Sequence, residues 1–90
     1  MARAGTITVT TAGTSVQGPD QQVGSAVLIR AHPDNTQEAY VGGANGEVSN
    51  TTGFALPPAG NAICLKIHNL NELWFDANVS GEKICWISVD

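Results

Sequence analysis

Apolar and polar residues alternate with a period of two through most of the chain, the signature of strands with one buried face. In residues 6–10 (TITVT), Ile7 and Val9 face one way and three threonines the other. Residues 25–31 (SAVLIRA) form the first strongly apolar strand. His32-Pro33-Asp34-Asn35 ends it, because proline cannot donate to a ladder and steers the residue before it away from helix. Short runs at 14–16 and 39–42, then longer ones at 63–67 (ICLKI), 73–77 (LWFDA) and 83–89 (KICWISV), complete the strand set. Turn chemistry separates them: Gly18-Pro19-Asp20, the corner Leu56-Pro57-Pro58-Ala59-Gly60, and Asn78-Val79-Ser80-Gly81-Glu82. Asn45-Gly46 suits the positive φ angles of a tight hairpin turn. Residues 47–55 (EVSNTTGFA) read as a polar loop, and 34–41 is the nearest thing to a helix, worth at most one turn.

Strand signals every eight to twelve residues predict an all-β fold: a compact jelly-roll-like antiparallel β-sandwich of seven to eight short strands. It is read as a single domain over 1–90, with 1–5 a candidate extended arm. The last strand departs from simple alternation. Ile84 and Trp86 are apolar on one face, and Cys85, Ile87 and Val89 on the other, so cover is expected on both faces.

The stretch 63–77 (ICLKIHNLNELWFDA) collects a thiol, an imidazole, carboxylates, amides and an indole, which invites an enzymatic reading. Strand geometry separates them. Ile63, Leu65, Ile67, Leu73, Phe75 and Ala77 form a buried row; Cys64, Lys66, Trp74 and Asp76 point outward; His68 to Glu72 connect the two strands as in a hairpin. Cys64 and His68 stand about 13 Å apart along one extended strand, beyond hydrogen-bond reach. Neither cysteine carries a nucleophile elbow or an oxyanion-forming glycine motif. Metal-type ligand pairs such as CxxC are absent, and His32 and His68 sit where strands end, as turn caps. No catalytic residue, metal ligand or cofactor is assigned.

Composition narrows the class of partner. Only 13% of the residues are charged, the net charge is −4, and Arg3, Arg30, Lys66 and Lys83 are scattered. Nucleic-acid binding needs clustered cations and is not expected. No apolar run nears the ~20 residues that span a bilayer, and the start lacks the apolar core of a secretion signal, so synthesis in a cytoplasm is expected. Cys64 and Cys85 are expected reduced in that setting, with a bridge between adjacent strands left open. The low charge density leaves surface for a partner to cover, and Trp74, Trp86, Tyr40, Arg3 and Phe54 are the candidate interface residues. Trp74 and Tyr40 could instead form a stacking platform for sugar.

The succession TITVTTAGTSVQ, VLIRAHPDN with AYVGG, the corner LPPAG, and ICLKIHNLNELWFDANVSGEKICWISV resembles the small all-β decoration, or cement, proteins of tailed bacteriophages. The resemblance runs over residues 6–89 and carries no catalytic signature. It implies a jelly-roll sandwich, commonly a homotrimer, on the outer capsid surface of the virion. The major capsid protein would be its partner and a distributed interface its working part. The alternative is a tail or baseplate module that binds host-surface glycan.

Overall fold

The computed structural model describes residues 3–43, 48, 53–58 and 60–88. Eight strands occur among them: β1 (Ala4–Thr8), β2 (Val16–Gln17), β3 (Val27–Ala31), β4 (Ala39–Gly42), β5 (Phe54–Leu56), β6 (Ile63–Leu65), β7 (Trp74–Ala77) and β8 (Lys83–Ser88). They form two four-stranded antiparallel sheets, β1-β8-β3-β6 and β2-β7-β4-β5. The all-β sandwich expected from the alternation is the fold observed.

The order of pairing explains the architecture. β1 pairs with β8, β2 with β7, β3 with β6 and β4 with β5, so the first half of the chain runs antiparallel to the second as one long ribbon. Rolling that ribbon brings β8 beside β3 and β7 beside β4, which closes the two sheets. This is jelly-roll connectivity. Only β4 and β5 are sequential neighbours within one sheet; every other connection crosses between sheets.

Crossing overturns the hairpin expected at 63–77. β6 pairs with β3 in one sheet, and β7 pairs with β2 and β4 in the other. The intervening residues form a 3-10 turn, Leu70–Glu72, with Leu70 fully buried. Among the described residues the one helical turn lies here and not in 34–41. An Asn and a Glu three residues apart explain it: Asn69 caps the turn and Glu72 reaches back to the cap, a reciprocal capping box.

Strand boundaries moved where pairing outweighed local pattern. β1 begins at Ala4 because Ala4 and Gly5 lie opposite Ile87 and Trp86. Arg3 continues the ladder, its N–H donating to Ser88 Oγ and its carbonyl accepting from Ser88 N–H, both at 2.7 Å. The segment read as an arm is thus part of the sheet from Ala4 onward, with Arg3 tied to Ser88 just before it, and residues 1–2 lie outside the described residues. β5 forms where a polar loop was expected, since β4 supplies a partner for Phe54-Ala55-Leu56. Asn45-Gly46 and the rest of 44–47 and 49–52, with Ala59 and Val89, also lie outside the described residues.

The core sits between the sheets. Ile7, Val27, Ile29, Ala31, Ile84 and Trp86 face inward from one, and Ala39, Val41, Leu56, Phe75 and Ala77 from the other. Two glycines serve this packing. Gly5 lies opposite Trp86, where a Cβ would press on the indole ring at 3.0 Å. At Gly18 a Cβ would collide with the Leu70 carbonyl, so the β2 end can pass the 3-10 turn only as glycine.

Candidate functional site

Polar side chains clustered in the sequence are occupied with holding loops. Asp76, expected to point to solvent, is 2% exposed. The turn after β1 covers it: Gly13 and Ala77 N–H groups donate to its Oδ1 at 3.0 and 2.8 Å. Ala12 N–H donates to Ser80 Oγ at 2.9 Å, which ties the same turn to the β7–β8 connection. Sequence alternation places Asp76 on the outer face correctly, but it carries no sign that another segment folds over it.

Glu72 and Asn69 organise a second polar cluster. Glu72 Oε2 accepts from the N–H groups of His68 and Asn69, each at 2.8 Å. The His68 and Asn69 hydrogen bonds, aided by the nearby imidazole, hold the Glu72 carboxyl below the ordinary glutamate range. Asn69 Oδ1 accepts from Gln21 and Asn71 N–H, and its Nδ2 donates to Asp20 Oδ1 at 2.8 Å. His68 Nδ1 donates to the Gly24 carbonyl at 2.9 Å, and Val23 N–H donates to the His68 carbonyl at 3.0 Å. His32 Nδ1 accepts from Asp34 N–H at 3.0 Å. Both histidines therefore make turn contacts. No group of three His, Cys, Asp or Glu side chains among the described residues converges as a metal-binding set.

Cys64 is an exposed free thiol and Cys85 a half-buried one. Cys64 lies opposite Leu28 and Cys85 opposite Arg30, with β3 between them. Two strand spacings of about 4.8 Å put their Cα atoms beyond the ~7 Å limit for a bridge.

Apolar side chains also reach the surface. Register aligns Ala4, Ile87, Leu28 and Cys64 in one row across the outer face of the β1-β8-β3-β6 sheet. Ile87 is 42% exposed, and a shallow hollow of about 210 Å³ opens beside it among Leu28, Arg30, Ala62, Cys85 and Trp86. The doubly apolar β8 pattern pointed to Ile87; Leu28 was missed because nothing in SAVLIRA marks which residues lie outside. A second groove, about 400 Å³, opens at the seam between β5 and β6. Val41, Phe54, Ile63, Cys64, Leu65 and Leu73 line it, and Phe54 at its rim is 58% exposed.

The five candidate interface residues separate accordingly. Phe54 is exposed at the seam. Arg3 is exposed and borders a polar hollow of about 530 Å³ with Asp20, Gln21, Gln22 and Gly24. Trp74 is half-buried. Tyr40 is 7% exposed, its hydroxyl accepting from Asn78 Nδ2 at 3.0 Å, and Trp86 is 8% exposed within the core. Little of either ring is left for a partner to touch.

No family model, no curated protein and no solved structure matches the chain.

Proposed function

We propose that the protein is a capsid decoration protein of a tailed bacteriophage. It sits on the outer surface of the virion head, binds the major capsid protein at junctions between capsomers, and self-associates as a homotrimer. The observation that carries this reading is the apolar row Ile87–Leu28–Cys64 on the outer face of a small jelly roll of low charge. Fold alone does not imply function. The surface adds the physical argument: a cement protein works by burying area across boundaries, at roughly 25 cal/mol for each apolar Å² removed from water. Such work needs no catalytic group and no cofactor.

A glycan-binding module has less support, because the stacking platform needs both Trp74 and Tyr40, and Tyr40 is buried while Trp74 is half-buried. Mixing the purified protein with expanded, undecorated phage heads and sedimenting them tests the proposal. Stoichiometric co-sedimentation that is weakened by Ile87→Asp is expected. Failure of the wild-type protein to bind any such heads would sink the reading.

A further inference from the structure

The seam between β5 and β6 has two properties that together specify an occupant. The first is apolar shape, a groove of about 400 Å³ with Phe54 exposed at its rim. The second is backbone that has no partner among the described residues, and it follows from the ladders. His32 N–H donates to the Lys83 carbonyl at 3.0 Å, so His32, Arg30 and Leu28 direct their backbone groups toward β8. Val27 and Ile29 then direct theirs toward β6, where they meet Leu65 and Ile63. Cys64 is left with N–H and C=O pointing off the free edge. The same alternation, started from the Gly18 N–H bond to the Leu73 carbonyl at 2.9 Å, leaves the Ala55 backbone pointing off the free edge of β5.

We infer that this seam binds an extended segment of a partner protein, which adds as a strand along β6 and places apolar side chains in the groove beside Phe54. Unpaired strand edges are templates for such addition, with main-chain hydrogen bonds giving affinity and alternate side chains giving specificity. A second copy of this chain is the poorer occupant. The exposed edges are only three residues long, about 10 Å, and the sheets lie about 10 Å apart, whereas two rigid copies need ~800 Å² each for a stable interface. A narrow segment anchored elsewhere has no such requirement. Charge selects further: Lys66, exposed just past β6, favours an acidic residue in the added strand of an otherwise apolar and uncharged segment. The inference goes beyond the capsid reading and does not depend on it, since the row through Ile87 lies on the outer face of the sheet and meets this seam only at Cys64.

The probe is a blocked seven-residue peptide alternating valine with threonine, with one threonine replaced by aspartate, titrated into the 15N-labelled protein. Amide shifts centred on Cys64, Lys66 and Ala55 are expected, with slowed exchange of the Cys64 amide. Methylating the peptide's alternate backbone nitrogens should abolish binding. Phe54→Ser should weaken it about tenfold. Cys64→Pro should remove it with the fold retained, because that N–H lies outside the ladder. Three results would overturn the inference: no shifts at millimolar peptide, binding indifferent to methylation, or a Cys64 amide already protected in the free protein, whether as monomer or as a concentration-dependent dimer.

Discussion

Asp76 and Glu72 illustrate two structural uses of a carboxylate. Asp76 is buried and accepts two backbone N–H groups, so truncation strands donors away from water. Asp76→Ala should destabilise the protein by about 1–3 kcal/mol in urea denaturation, and the Gly13 amide should lose exchange protection first. Glu72 is exposed, and its hydrogen bonds from His68 and Asn69 lower its pKa in the folded state. Its contribution is therefore complete above the ordinary glutamate pKa and is lost as pH falls through the lower folded value. Glu72→Gln should lower the melting temperature at pH 7, with the gap from wild type narrowing to nothing as the pH is taken down past that value. A gap of constant size across the titration would show that ionisation of Glu72 contributes nothing.

Elements of this fold are joined by side chains gripping backbone at a distance. Asn35 Nδ2 donates to the Lys83 carbonyl at 2.7 Å and its Oδ1 accepts from Lys83 N–H at 2.9 Å. Buried Glu82 accepts from Thr36 and Gln37 N–H at 2.9 and 3.0 Å. Together they clamp the β3–β4 loop to the start of β8. Asn35→Ala should cost about 1–3 kcal/mol, because it takes the acceptor from the Lys83 N–H and one of the two donors from its carbonyl in a partly buried site. Hydrogen exchange should show loosening at 33–38 and at the start of β8, with the β2–β7 pairing unchanged.

At the scale of the whole molecule, the ribbon brings the first strand to the last. Residues 4–8 pair with residues 83–87, and only β4 and β5 close locally. Non-local pairing must meet the cost of loop closure before contacts compensate it, so refolding is expected in the millisecond-to-second range typical of β-sandwiches. Stopped-flow tryptophan fluorescence measures this directly through Trp86 in the core. Microsecond refolding would contradict the topology as the rate-limiting feature.

Much of the fold is legible in the residues alone. Alternation marks the inward rows, as in Ile7, Ile84 and Trp86, because a strand repeats every two residues whatever it pairs with. It also separates Cys64 from His68 along one strand, beyond hydrogen-bond reach. Pairing is another matter. A strand's sequence names its buried face and not its neighbour, so 63–77 reads equally well as a hairpin or as a crossing between sheets. Only the rolled ribbon decides that β6 joins β3 and β7 joins β4. Burial of Asp76 and Tyr40 on an outer face, the row through Ile87 and the open seam follow from that same choice. Each depends on a segment distant in sequence arriving, or failing to arrive, to cover it.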